Sequence, residues 1–171
     1  NVIIRTHGIE KNIFDNIKNK KVRIVDGTCP IVKRSQKLAI EYSNEGYNII
    51  IYGDISHPEI KALVSYINPK VKTFIINSAK EIDNISLDKK SKIVLIAQTT
   101  KELKQYKTIA KILKKKFCDI KILDTICKET ILREKYANVI SKKVDIVIVV
   151  GGKNSANTKK LVNISLNNTK N

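Results

Sequence analysis

The chain has no methionine and no tryptophan, and it holds only 3 cysteines, 3 prolines and 5% aromatic residues. An odd number of cysteines with no C-x-x-C pair excludes a disulfide framework and the usual close-paired zinc site. No apolar run approaches the roughly 18 residues of a membrane helix. No basic segment followed by an apolar one opens the chain, so nothing reads as a signal peptide, and a reducing compartment is expected. Arginine is scarce too. Arg5, Arg23, Arg34 and Arg133 stand against a formal charge of +17, which is therefore mostly lysine. Lysine without interleaved arginines and aromatics reads as solvated surface, and no nucleic-acid partner is expected. Because Asn1 is followed at once by a strand-like VIIR, the sequence reads as a piece of a longer protein.

What is present is a folded α/β pattern. The 171 residues are 42% hydrophobic and 29% charged, which excludes disorder. Short β-branched runs recur as NVIIR (1–5), VRIVD (22–26), NIIIYG (48–53), VKTFII (71–76), KIVLIA (92–97), IKILD (120–124) and VDIVIVVGG (144–152). Helix-length stretches separate most of them. One covers 31–46, with Gly46 as its stop. Another covers 101–117, where Leu103, Tyr106, Ile109, Ala110, Leu113 and Phe117 share one face and the lysines lie outside. After Cys127, Ile131, Tyr136, Val139 and Ile140 approach a helical face. Near-continuous Ile and Val runs predict parallel strands buried on both faces and covered by helices.

The residues that follow each run carry the chemistry. VIIR leads to Thr6, His7 and Gly8; VRIVD to Gly27, Thr28 and Cys29; IIIYG to Asp54, Ser56, His57, Pro58 and Glu59. IVLIA leads to Gln98, Thr99 and Thr100; IKILD to Thr125, Ile126 and Cys127; the last run to Lys153, Asn154, Ser155, Ala156 and Asn157. Taken singly, such residues serve as helix caps and turns. Recurring at the carboxyl ends of six of the seven runs, where open parallel sheets bind ligands, they predict one shared pocket. Cys118 precedes its strand instead and reads as structural.

Two lone thiols at equivalent places, Cys29 and Cys127, suit a metal centre assembled from separate repeated units. Two sulfurs alone leave zinc or a degenerate site open. At this point the motifs RTHG, VDGTCPIV, SHPE, AQTT, DTICKET and GGKNSAN resemble, in order, those of the LytB-type 4-hydroxy-3-methylbut-2-enyl diphosphate reductases.

That resemblance implies three similar parallel-sheet α/β units, helices outside, in a pseudo-threefold arrangement around a central pocket with a 4Fe-4S cluster. The chain would then divide into 1–29, the end of a first unit; 30–126, a second; and 127–171, the start of a third. Cys29 and Cys127 match two cluster ligands, and the third is expected before Asn1. Glu59 matches an acid that protonates the leaving hydroxyl of an allylic diphosphate, with Thr99 orienting that hydroxyl and relaying protons. Thr100, His7, His57, Ser155 and Asn157 match substrate contacts, and Gln98 an outer partner. Where the family often has two serines, this chain has Ser155 and Ala156, one hydroxyl fewer toward the diphosphate. Ferredoxin or flavodoxin is the implied electron donor, no membrane is involved, and the implied compartment is bacterial cytoplasm or plastid stroma. A non-catalytic phosphate-binding module is the alternative.

Overall fold

The computed structural model describes residues 1–153 and 155–168, in two compact units, Asn1–Ile126 and Cys127–Asn171. Among the described residues no helix is long and apolar enough to cross a membrane.

In the first unit the β-branched runs form strands, shorter than the apolar runs that announce them. Strands β1 (Val2–Ile4) and β2 (Ile24–Asp26) pair in parallel as a two-stranded sheet, with helix α1 (Lys11–Asn19) between them in sequence. Then α2 (Pro30–Asn44) leads to β3 (Asn48–Tyr52), α3 (Pro58–Ser65), β4 (Thr73–Ile76), a 3-10 helix (Ala79–Asn84), β5 (Lys92–Ala97), α4 (Leu103–Lys116) and β6 (Asp119–Ile122). These four strands form one parallel sheet in the order β4-β3-β5-β6.

Burial explains the sequence pattern. Ile49, Ile50 and Ile51 of β3 and Ile93, Val94, Leu95 and Ile96 of β5 are fully buried, so both faces of the central pair are covered. Each such isoleucine contributes about 2 kcal/mol of burial energy. Ile49, Ile51, Val94 and Ile96 pack with Ala39 of α2 and with Ile60 and Leu63 of α3. On the other side Tyr52 stacks on Tyr106 of α4, ring centroids 6.4 Å apart. The predicted face of α4 is the one that is buried, at Tyr106, Ile109, Ala110 and Leu113.

Helix α2 ends where its glycine predicts. Gly46 sits at φ +83°, its N–H donates to the Ser43 carbonyl (3.2 Å), and the Tyr47 N–H donates to the Tyr42 carbonyl (2.9 Å). This is a Schellman end, closed by edge-to-face contact of Tyr42 with Tyr47.

Strand order positions the site. From β3 the chain moves outward to β4, then returns to β5 on the opposite side of β3 before continuing to β6. The direction of winding therefore reverses between β3 and β5, and such reversals open a crevice at the strands' carboxyl ends. Gly53 stands at its edge because a Cβ there would meet Ile60 Cδ1 at 2.8 Å. On the far side Thr125 ties β5 to the chain beyond β6. Its Oγ1 accepts from the Ala97 N–H (2.8 Å) and donates to the Ala97 carbonyl (3.0 Å).

The second unit contains α5 (Lys128–Ile140) and α6 (Ala156–Leu166), joined by a Lys160–Glu134 ion pair at 3.0 Å. Two expectations need correction there. The run at 144–152 is not a strand. It keeps a period-two alternation, with Ile146, Ile148 and Val150 exposed while Val147 and Val149 line a depression with Val162 of α6. A ladder needs a neighbouring strand, and none pairs with this run among the described residues. The apolar face foreseen on α5 is also open, since Tyr136, Val139 and Ile140 are exposed.

Thr125→Val keeps shape but leaves both polar groups of Ala97 without their buried partner. It is expected to lower unfolding free energy by about 2 kcal/mol in urea titrations followed by circular dichroism, while Thr125→Ser loses less. A loss in Thr125→Ser with none in Thr125→Val would assign the effect to the methyl group instead.

Candidate active site at the β3–β5 crevice

The first turn of α3 supplies the central group. Glu59 is 1% exposed, and each of its carboxylate oxygens accepts a hydrogen bond. The Thr99 backbone N–H donates to Oε1 at 2.7 Å, and the Thr99 hydroxyl donates to Oε2 at 2.8 Å. Thr99 follows β5 and Glu59 follows β3, so the pair spans the crevice as a clasp. Burial pushes the Glu59 carboxyl above its usual range, and the two bonds from Thr99 pull it partly back. Protonated, Glu59 donates to Thr99 Oγ1 and frees the threonine hydroxyl to donate outward. The pair can hold a proton and pass it on.

Histidines flank this clasp. His57 is the N-cap of α3, with Nδ1 accepting the Glu59 N–H at 3.2 Å and Pro58 in the first helical position. His7 lies in the turn after β1, where Gly8 takes φ +75° and donates its N–H to the Arg5 carbonyl. The two imidazoles meet edge to face at 5.1 Å. A nitrogen of each ring and a Glu59 oxygen lie within 4.8 Å of one another. Burial, then Arg5, lowers the His7 pKa. His57 is lowered by burial first, then by His7 and Lys101, against an opposing pull from Asp54. Neutral rings beside an uncharged or bonded carboxyl make this a site of hydrogen-bond donors more than of fixed charge. The trio has metal-ligating types, but both Glu59 oxygens and His57 Nδ1 already have partners.

A ring of supports surrounds these groups. The Gln98 side chain accepts from the Asp54 N–H (3.0 Å) and donates to Thr100 Oγ1 (3.1 Å), tying the β3 loop to the β5 loop. Gln98 uses one lone pair of Thr100 Oγ1, which leaves the Thr100 O–H available to donate. Lys101 bonds Asn77 Oδ1 and lies over the Tyr52 ring. The sequence places Thr125 and Asp54 at strand ends without a role, because their partners depend on which strands are neighbours.

The thiols occupy matching local positions. Cys29 caps α2 and Cys127 caps α5, and neither side chain is used in capping. Both are free and partly exposed. The Cys29 N–H donates to the Thr6 carbonyl (3.0 Å), which sets Cys29 beside the turn that carries His7. Cys118 is exposed.

Thus the first unit brings together His7, His57, Glu59, Thr99 and Thr100. Cys127, Ser155 and Asn157 belong to the second unit. Ser155 caps α6, its Oγ accepting from the Thr158 N–H at 3.4 Å. Asn157 Oδ1 is buried without a partner among the described residues. Asn154 lies outside the described residues.

These features define a parallel α/β protein with a buried acid–threonine pair and two histidines at the strand ends, and with free thiols at two helix N-termini. The comparisons agree with that class. The profile of the LytB protein family matches residues 1–171, and the chain belongs to that family. It is 41% identical over 170 residues to the 4-hydroxy-3-methylbut-2-enyl diphosphate reductase of Campylobacter hominis, covering 99% of this chain and 60% of that relative. It is 44% identical over 164 residues to the reductase of the same name from Helicobacter pylori strain Shi470, covering 96% of this chain and 58% of that relative. Among solved structures it resembles (E)-4-hydroxy-3-methyl-but-2-enyl diphosphate reductase, described as the terminal enzyme of the non-mevalonate pathway. That match has a TM-score of 0.74 at 29% identity over 99% of this chain and 60% of the other. The corresponding reductase from Plasmodium falciparum gives a TM-score of 0.83 at 32% identity over 98% and 53%. The chain spans about 60% of the length of the curated relatives it matches.

Glu59 offers a stability test. In the fold its proton is held above the ordinary value of 4.5, so this proton stabilises the fold fully below that value. The contribution is lost as pH rises through the folded value. Glu59→Gln, which mimics the protonated form, is therefore expected to melt higher than the parent chain at neutral pH. The difference should vanish in acid. Melting curves across pH check this, and a pH-independent difference would place the burial penalty elsewhere.

Proposed function

We propose that the protein to which this chain belongs converts 4-hydroxy-3-methylbut-2-enyl diphosphate to isopentenyl and dimethylallyl diphosphates. The observation that carries this is the buried Glu59–Thr99 clasp beside the His7–His57 pair, in a chain of the reductase family. Two electrons and two protons enter, one C–O bond breaks, and the hydroxyl leaves as water.

The donor set fits the family's 4Fe-4S cluster. Cys29 and Cys127 are free thiols at helix N-termini, uninvolved in capping, and they would supply two of its ligands. A third cysteine is expected upstream of Asn1. When bound, the cluster supplies the two electrons and a Lewis-acidic iron, which no side chain can provide.

This chain's own residues handle the protons and the diphosphate. Glu59 holds a proton that Thr99 Oγ1 relays to the leaving oxygen, which Thr99 also orients. Burial of the carboxyl keeps that proton available. Thr100, His7 and His57 donate to substrate oxygens, joined by the Ser155 hydroxyl and the Asn157 side-chain N–H. The three-unit pseudo-threefold arrangement, divided at 29/30 and 126/127, belongs to the same reading.

In the full-length protein, Glu59→Gln should lower kcat by about 100-fold or more with little change in KM, since it removes the transferable proton but keeps the bonded shape. Retained turnover, or Mössbauer spectra of anaerobic wild-type protein without a four-iron cluster, would end the reductase reading. Ligand binding without turnover in the wild type would leave a phosphate-binding module.

The basic surface suits an acidic electron donor such as ferredoxin or flavodoxin. Lys114, Lys115 and Lys116 end α4 about 20 Å from the crevice end of that helix, so they steer approach rather than touch the site. Reduction by ferredoxin should slow as salt rises. A rate insensitive to ionic strength would remove this role.

A further inference from the structure

We propose that His57 is held as its neutral Nε2–H tautomer, with Nδ1 permanently engaged as the cap of α3, and serves the site only as a hydrogen-bond donor. The assignment follows from the partner. A backbone N–H can only donate, so the nitrogen facing the Glu59 N–H at 3.2 Å must carry a lone pair. The single proton of a neutral imidazole is then on Nε2. An imidazolium would set N–H against N–H and uncap the helix. Turning the ring over would replace the acceptor by a C–H.

The backbone holds the ring at this post. The His57 N–H donates to the Asp54 carbonyl (3.0 Å), and the His57 carbonyl accepts from Ile60 (3.0 Å) and Lys61 (3.1 Å). The charged and titratable groups acting on it are His7, edge-on at 5.1 Å, together with Asp54, Lys101 and the capped Glu59. Burial, His7 and Lys101 all disfavour a second proton on the ring, and Asp54 alone favours one.

A donor of this kind selects an oxygen lone pair, such as that of a phosphate oxygen, and cannot act as the acid without breaking its own helix cap. Proton delivery therefore falls to Glu59 and Thr99. A bound oxyanion at Nε2–H also makes Nδ1 a stronger acceptor, so ligand binding tightens the cap that positions Glu59. The tautomer stands on geometry alone; its use toward a diphosphate rests on the function proposed above.

The chain has only 2 histidines, so two-bond proton–nitrogen correlation spectra of the uniformly labelled chain resolve both rings, and His7→Gln tells them apart. His57 should show a protonated Nε2 and an unprotonated Nδ1 at neutral pH. An Nδ1–H form, or averaging between the two forms, would overturn the assignment. Asparagine caps well but is too short to reach as far as Nε2. His57→Asn should therefore keep the melting temperature that His57→Ala lowers, and equal losses would overturn the capping role. In the full-length protein both variants should raise KM about tenfold, the effect of one charge-assisted bond. An unchanged KM with the tautomer confirmed would remove the substrate contact from His57 and leave the assignment standing.

Discussion

The structure of the site depends on one buried acid. An ionised carboxylate taken out of water costs several kcal/mol unless its oxygens are bonded. Glu59 meets that requirement with two bonds from a single residue across the crevice, a backbone N–H and a hydroxyl of Thr99. Its place in the first turn of α3 adds the favourable end of the helix dipole. What remains of the burial penalty appears as a raised proton affinity. A single arrangement thus fixes the loops after β3 and β5 to each other and makes the acid able to hold a proton.

The surrounding groups follow the same economy of charge. His7 and His57 are both held toward the neutral form, Thr100 is bonded by Gln98, and the large positive charge of the chain lies on lysines such as those ending α4. Neutral donors therefore surround the one group of the site whose proton affinity is raised, Glu59. The thiols show the complementary solution. Cys29 and Cys127 sit at helix N-termini, and their side chains take no part in the cap.

Much of the fold was legible because its causes are local. Runs such as NIIIY and KIVLIA become doubly buried strands, Gly46 ends α2 in the left-handed conformation that only glycine adopts freely, and the face of α4 read from its spacing is the buried one. The run at 144–152 looks the same on paper and is no strand, since an apolar run becomes a strand only when another backbone lies beside it. The exposed Tyr136, Val139 and Ile140 of α5 fail for a like reason: a helical face is buried only by something packed on it.

The sequence by itself determined that chemically capable residues would gather at strand ends, because parallel strands put all their carboxyl ends on one side and each next helix must begin there. It also marked His7, His57, Glu59, Thr99 and Cys29 as the residues to find there. Only the tertiary structure decided which of them touch. β5 pairs with β3 and not with β4, its predecessor in the chain, and that crossing is what brings Thr99 onto Glu59. The cap made by His57 Nδ1, the bridge made by Gln98 and the pin made by Thr125 follow from the same adjacency, since hydrogen bonds depend on distance in space and carry no trace in spacing along the chain.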